Sequence, residues 1–420
     1  KNKIIIGYGA TAKATTFLSF FEMPKNLIKV IIDDSNIKEN YYMPGYDIQI
    51  KKFNYMYKIK FNYIIIFAWN FNDSIIDKLR KIKNRKFKII SLFPVVKTFS
   101  IWINLLMKKI VITGGAGFIG SHIVNYFYNN YKKSHIVVID KLTYAGNLNN
   151  LGSLLSNKRI KFVKADIGNY KIMKDELSKT DLLINAAAES HVDNSYGNSK
   201  IFSKTNIIGT HTLLEASRYN RVNKIIHIST DEVYGDIRKG KCNEEAHLNP
   251  TNPYSASKAA AEMIVKSYVN SYKLPIIVLR PNNIYGIRQF PEKLIPKSIY
   301  LLSKLKKVPL HGNGKNIRHY LSVNDFLAAL NVVLKKGKNE IYNVGSDISY
   351  TNFKIVNTIC KYLKLNTKHH IEFVDDRPYN DSRYAIDYKK IKKLNWNNKY
   401  SLILDFPSLI DWYLKNLSRK

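Results

Sequence analysis

Thr113-Gly114-Gly115-Ala116-Gly117-Phe118-Ile119-Gly120 is the stretch on which the fold of this 420-residue chain turns. A β-branched run, residues 109–113, leads into its first glycine, and a helical pattern opens at its last. Glycine at 114, 117 and 120 lets the backbone turn sharply and approach a pyrophosphate, which then rests on the positive end of the helix. A glycine triplet alone is a weak signal. Asp140 strengthens it, because it ends the next apolar run, twenty residues past Gly120. A carboxylate there accepts hydrogen bonds from both ribose hydroxyls and repels a 2′-phosphate. NAD is therefore the expected cofactor rather than NADP, with the neighbouring Lys141 softening the preference.

Working outward, apolar runs at 109–113, 136–140, 161–164, 182–186, 224–229 and 276–280 alternate with helical stretches. This alternation predicts a Rossmann-like, doubly wound parallel sheet in an α/β fold. After Pro281 the pattern loosens into shorter elements, the composition of a smaller C-terminal substrate lobe that runs to an amphipathic helix near 401–416. A second strand-glycine-helix start lies upstream at residues 3–14. It continues through the runs 28–32, 63–69 and 87–92 and a helical stretch at 74–82, predicting a small separate α/β domain. The length also favours more than one core, since single cores rarely exceed about 250–300 residues. The expected organisation is 1–98, a linker at 99–106 with 100–107 as linker or docking helix, and 107–420. Within the last, the dinucleotide-binding part is mainly 107–280 and the lobe mainly 281–420. Met107-Lys108-Lys109 reads as a former protein start inside a fusion, and Lys1 in place of Met predicts a fragment or processed form.

Hydrophobic residues at 45% and aromatics at 12% supply enough apolar surface for a packed protein. The net charge of +35 would draw polyanions. However, Lys, Asn and Ile are abundant throughout the chain, which points to coding bias, and clusters such as Lys304-Leu305-Lys306-Lys307 are short. No nucleic-acid partner is expected, though a basic surface would help attract a diphosphate. No apolar run approaches the roughly 20 residues that span a bilayer, so no membrane partner is expected. Cys242 and Cys360 stand far apart without metal-ligand spacing. No metal site or disulfide framework is expected, and a reducing, cytoplasmic setting fits.

Two further clusters carry chemistry. Tyr254-Ser255-Ala256-Ser257-Lys258 puts a phenol and an ammonium one helical turn apart. A nearby cation, joined by an oxidised nicotinamide, stabilises phenolate, which can then take a proton from a sugar hydroxyl as hydride leaves. The bland reading is a surface helix in a chain rich in Lys and Tyr. Thr230-Asp231-Glu232, after the run 224–229, places a hydroxyl and two carboxyls at a strand's C-terminal end, where such sheets bind ligands. Adjacent acids can divide acid and base roles; a solvated acidic turn is the alternative.

Together with Thr143-Tyr144-Ala145-Gly146-Asn147, Ala187-Ala188-Glu189-Ser190-His191-Val192-Asp193 and Phe290-Pro291-Glu292-Lys293-Leu294-Ile295-Pro296, these motifs resemble the dTDP-glucose 4,6-dehydratases of the extended short-chain dehydrogenase/reductases. The likeness covers residues 107–420. Arg280-Pro281-Asn282-Asn283-Ile284-Tyr285-Gly286 and Asp376-Arg377-Pro378-Tyr379-Asn380-Asp381 are also similar to the UDP-glucose 4,6-dehydratase part of plant rhamnose synthases.

The resemblance implies that Tyr254, helped by Lys258 and Thr230, takes the proton of the carbon 4 hydroxyl while hydride passes to NAD. Glu232 then takes the carbon 5 proton, Asp231 protonates the departing carbon 6 hydroxyl, and hydride returns to carbon 6. The product is a 4-keto-6-deoxy sugar. It also implies cofactor contacts at Gly114, Gly117, Phe118, Ile119, Gly120, Asp140, Lys141, Thr143, Asp166, Ile167, Ala186, Ala188, Thr205, Ser229, Tyr254 and Lys258. Nucleotide-sugar contacts are implied at Ser190, His191, Thr230, Asn283, Lys293, Leu294, Arg318, Asn343 and Arg383, with Arg318 a forked diphosphate clamp. A homodimer is implied as well. His319-Tyr320 after that arginine, and Ile284, depart from bacterial members.

Related epimerases and decarboxylases usually lack an acid where Asp231 stands; they and a non-catalytic NAD-binding module are the competing readings. Residues 1–98, through Gly7-Tyr8-Gly9-Ala10-Thr11-Ala12-Lys13, Asp33-Asp34-Ser35, Pro44-Gly45 and Ala68-Trp69-Asn70-Phe71, resemble the C-terminal domain of sugar C-methyltransferases. The zinc-binding and S-adenosylmethionine domains of that family would lie upstream, so a retained module without methyl transfer is expected.

Overall fold

The structure is a computed structural model, described over residues 3–79, 82, 86–92, 97–102 and 107–416. It divides into two compact units, Lys1–Leu106 and Met107–Lys420. In the first, isoleucine-rich runs form β1 (Ile5–Tyr8), β2 (Ile28–Asp33), β3 (Ile50–Lys52), β4 (Tyr63–Ile66) and β5 (Lys86–Ser91), followed by β6 (Lys97–Trp102). The order is β3-β2-β1-β4-β5-β6. All pairs are parallel except β5 with β6, where Ser100 stands opposite Lys88. Residues 100–102 are therefore strand, where a linker or docking helix was expected. Thr98, Phe99, Ile101 and Trp102 are strand-forming types, and an antiparallel return needs no crossover helix. Residues 103–106 lie outside the described residues. Both faces of the sheet are apolar. Ile6, Val30, Ile32, Ile64 and Ile89 join one buried cluster, and Ile31, Ile65 and Phe67 join another with Ala14 and Leu18 of the helix Ala12–Phe20. Burial on both sides is what crossover helices impose on a parallel sheet.

In the second unit β7 (Lys109–Thr113), β8 (His135–Asp140), β9 (Ile160–Lys164), β10 (Leu182–Asn185), β11 (Ile225–Ile228) and β12 (Ile276–Pro281) follow the sequence runs closely. The lobe adds β13 (Asn283–Tyr285), β14 (Val308–His311), β15 (Ile317–Ser322), β16 (Ile341–Val344), β17 (Ser349–Thr351) and β18 (Ile371–Val374). The main sheet is wholly parallel in the order β16-β12-β11-β10-β7-β8-β9. The order reverses between β7 and β10, which opens a crevice at their C-terminal ends.

The division at residue 280 is less clean than the sequence suggested. β16 returns to the main sheet beside β12. Phe326, Leu330 and Val333 of the helix Val323–Lys336, with Tyr388 and Trp396, share one buried cluster with Ile123, Val124 and Phe127. The lobe proper is built on the small sheets β13-β15-β17 and β14-β18 and has its own core around Ile299, Ile355, Ile359 and Phe406.

Candidate functional site

All sixteen residues expected to touch the cofactor line one cleft at the crevice, from Gly114 through Asp140, Asp166, Ala186 and Thr205 to Lys258. Gly114 has φ +65°, and a Cβ there would lie 2.7 Å from the backbone of Ala186 and Ala187; a Cβ on Gly120 would lie 2.0 Å from the Gly114 carbonyl oxygen. Only glycine lets the turn and helix close this far. The helix Phe118–Asn130 starts at Gly117 with no side-chain cap, so its first N–H groups are left for an anion in the cleft. This fits the pyrophosphate of a dinucleotide.

Asp140 accepts from the N–H of Ala116 at 2.9 Å and of Leu142 at 2.8 Å. The remaining lone pairs suffice for two ribose hydroxyls. Burial nudges its carboxyl up, against those backbone hydrogen bonds. Lys141 donates to Asp166 at 2.7 Å, so the ammonium that could favour a 2′-phosphate is already paired. Thr205 sits in a π-helical stretch, Ser203–Gly209, a distortion that often marks functional sites.

The side chains expected to be catalytic come from two elements. Helix Pro253–Tyr272 begins with Pro253 after Asn252, whose side chain and that of Ser255 cap each other's backbone N–H groups at 2.9 and 3.2 Å. This fixes the first two turns, which carry Tyr254 and Lys258. Past β11 the chain forms a 3-10 turn, Asp231–Tyr234, in which Thr230 Oγ1 accepts from the Glu232 N–H at 3.3 Å. Thr230, Glu232, Tyr254 and Lys258 line the cleft. Asp231 lies just behind it, only 2% exposed, and its Oδ2 accepts from the Asn282 amide at 2.7 Å.

Burial and the charge of Glu232 push Asp231 up to about 7, against hydrogen bonds from Asn282 and Thr230. Burial also raises Glu232, opposed by Lys293 and Arg318. Two carboxyls so placed, one retaining a proton near neutrality, can act as an acid and a base.

Burial and the Glu232 charge raise Tyr254 above the usual phenol range, with the Thr230 hydroxyl opposing. Lys258 donates to the Ile228 carbonyl at 2.7 Å, and burial brings it down to about 8 against the charge of Glu262. Burial thus works against a phenolate, and the expected lowering of the phenol rests on the positive charge that an oxidised nicotinamide adds to that of Lys258.

Of the expected sugar-nucleotide residues, Ser190, His191, Thr230, Asn283, Lys293, Leu294 and Arg318 line the cleft. Lys293 donates to the Ser190 carbonyl at 2.6 Å. Burial and Lys293 hold His191 down to about 4, so its imidazole is neutral. Asn343 and Arg383 are not brought to the cleft. The Asn343 amide is fully buried on β16 and donates to the carbonyls of Cys242 and Asp387 at 3.1 and 2.9 Å. The Arg383 backbone N–H binds Asp236 at 3.1 Å and its guanidinium turns to the Ile237 carbonyl.

Sequence reading missed Asn282, Tyr384 and Arg377, which the structure brings to the cleft. Asn282 lines the cleft and holds Asp231; Tyr384 lines it with its hydroxyl 3.4 Å from Glu232 and bonded to Asp381. Arg377 also lines the cleft and pairs with Asp193 at 2.5 Å. Alternation along an extended segment, which sends adjacent side chains to opposite sides, was the signal that could have separated Tyr384 from Arg383. Among the described residues no cluster of His, Cys, Asp and Glu could hold a metal ion, and no helix is long and apolar enough to cross a membrane.

Residues 111–403 match the GDP-mannose 4,6 dehydratase family, and residues 1–94 match the C-methyltransferase C-terminal domain. The chain is 40% identical over 360 residues to the dTDP-D-glucose 4,6-dehydratase of Dictyostelium discoideum, covering 74% of this chain and 83% of that one. It is 44% identical over 319 residues to a trifunctional Arabidopsis thaliana protein with UDP-glucose 4,6-dehydratase, epimerase and reductase activities, covering 74% of this chain but 47% of the plant protein. A crystal structure of a Streptomyces venezuelae dTDP-glucose 4,6-dehydratase with NAD bound superposes with TM-score 0.72 at 35% identity, covering 74% of this chain and 98% of that one.

Proposed function

This chain belongs to the GDP-mannose 4,6-dehydratase family, and from that premise we propose that it removes water from dTDP- or UDP-glucose to give the 4-keto-6-deoxy sugar. NAD is its cofactor. Bound NAD supplies the hydride acceptor for carbon 4, the hydride donor for carbon 6 and, while oxidised, a positive charge beside Tyr254. Gly114, Gly117, Gly120 and the first turn of the helix Phe118–Asn130 would hold its pyrophosphate, and Asp140 would hold its adenosine ribose.

Tyr254, hydrogen-bonded to Thr230, takes the proton of the carbon 4 hydroxyl. The Lys258 ammonium fixes the helix against β11 through the Ile228 carbonyl. Oxidation at carbon 4 acidifies the carbon 5 proton, which Glu232 removes. Asp231 gives its proton to the departing carbon 6 hydroxyl, water leaves, and as hydride returns to carbon 6 Glu232 gives its proton back to carbon 5. The observation that carries this reading is the buried Asp231-Glu232 pair, in which Asp231 sits near 7 and can donate. Arg318 and Lys293 supply the cationic end of the cleft for the diphosphate.

Incubating the NAD-loaded protein with each nucleotide sugar and weighing the products tests the proposal. It expects a product lighter by one water; an epimer of unchanged mass refutes it. Running dTDP-glucose and UDP-glucose side by side identifies the base. We further propose a homodimer and a cytoplasmic setting. Tyr219, Met263 and Tyr272, all about half exposed on the helices Thr210–Asn220 and Pro253–Tyr272, support a helix-pair interface. The free thiols of Cys242 and Cys360 are compatible with a reducing compartment.

A further inference from the structure

The catalytic turn is tied at both ends to one buried ion pair. Glu262 lies one helical turn beyond Lys258, and Arg280 lies near the end of β12; each is 2% exposed and neither lines the cleft. Arg280 Nη2 donates to Glu262 Oε2 at 2.5 Å, and its Nε donates to Oε1 and Oε2 at 3.0 and 3.1 Å, a forked grip on the carboxylate. Ser229 Oγ donates to Glu262 as well. On the other side Arg280 Nη1 donates to the Tyr234 hydroxyl at 2.6 Å, and that hydroxyl donates to Asn343 Oδ1 at 2.8 Å.

Ser229 immediately precedes Thr230, and Tyr234 ends the 3-10 turn. The segment that carries Asp231 and Glu232 is thus slung between two anchors on one carboxylate-guanidinium pair. Stability alone gives little reason for such a pair, because desolvating two charges offsets most of their attraction and apolar replacements are often as stable. Its hydrogen bonds, by contrast, have a specific geometric result: they fix the two ends of the acid-bearing turn.

We propose that Glu262 and Arg280 are positioning residues for dehydration, holding the turn so that its two acids stand at carbon 5 and carbon 6. This rests on the dehydratase reading above. The device acts on the elimination step more than on oxidation at carbon 4, since Tyr254 and Lys258 sit on a helix with its own capping box and its own bond to Ile228. It also gives Asn343 a place: that amide extends the anchor rather than touching sugar.

The test compares NAD-loaded native protein with Arg280→Met, Arg280→Lys and Tyr234→Phe. After rapid mixing with dTDP- or UDP-glucose, absorbance of the reduced cofactor reads oxidation, and mass spectrometry of quenched samples reads water loss. Expected are native NAD content, oxidation within about threefold of native, and water loss about 10²-fold slower, the scale of a misplacement near 1 Å. Reduced cofactor then persists while sugar turns over, and Arg280→Lys recovers part of what Arg280→Met loses. Tyr234→Phe leaves the ion pair whole, so it decides the matter should the charge variants not fold. Both steps slowing in proportion, or neither slowing, would overturn the inference while native dehydration stands. A native protein that yields no dehydrated sugar would overturn the functional reading itself.

Discussion

The two units begin alike and end differently. Each opens with a strand, a glycine in the left-handed region and a helix, with φ +93° at Gly9 and +65° at Gly114. In each, the aspartate ending the second strand accepts from an alanine N–H in that turn, Asp33 from Ala10 at 2.7 Å and Asp140 from Ala116 at 2.9 Å. The helix starts then diverge. In the first unit the Thr11 side chain accepts from the Ala14 N–H at 3.3 Å, and Lys38 covers the Ala10 carbonyl at 2.8 Å. In the second, Gly117 offers no side chain.

The strand ends diverge further. β11 runs into Thr230-Asp231-Glu232, whereas β4 and β5 run into Phe67-Ala68 and Leu92. Asp34 is consumed by the Tyr8 hydroxyl and Lys78. A glycine turn with its aspartate therefore makes a fold, and chemistry needs an uncapped helix and an acid pair besides.

The comparison breaks most sharply at the acids. Glu232→Gln is expected to lower turnover about 10³-fold, the range for losing a general base, with NAD retained. Asp34→Asn, an equally simple loss in the first unit, leaves turnover unchanged. Steady-state assays of both variants decide this. Next in size, Gly120→Ala forces a Cβ to 2.0 Å from Gly114 and should abolish NAD retention, read from the cofactor released on denaturation.

The pH dependence follows. Asp231 must be protonated to donate, so with its pKa near 7 turnover at saturating sugar falls as pH rises through about 7, and falls more steeply once Lys258 discharges near 8. A flat profile across that interval contradicts the assignment. Asp140→Asn should weaken NAD about tenfold by titration, the value of one charged hydrogen bond. Smallest is Thr11→Ala, expected to cost the first unit about 1 kcal/mol as a lost cap while dehydration proceeds at the native rate; thermal melts with activity read in parallel check it.

Much of this was legible in the residues. The strands 109–113 and 276–280 declared themselves because buried parallel strands must be apolar on both faces, and the glycines and Asp140 of the cleft followed from their fixed spacing, with the other lining residues implied by the resemblance. β16 did not. Ile341–Val344 is four residues long, and its place beside β12 depends on a partner more than sixty residues upstream, which no local pattern encodes. Arg383 was chosen where Tyr384 reaches the cleft, because type and motif were visible but the side of the backbone was not, and Asn343 was chosen by type where the assembled sheet buries it against Cys242 and Asp387. The upward pull of burial on Tyr254 was hidden for a related reason: it belongs to the assembled site.

The most direct test of the central claim is the fate of one label. Glucose deuterated at carbon 4, as its dTDP or UDP derivative, is given to the NAD-loaded protein and the product examined by mass spectrometry and NMR. The account predicts a sugar lighter by one water with the deuterium moved to carbon 6. Deuterium found at carbon 4 of a sugar of unchanged mass would contradict it.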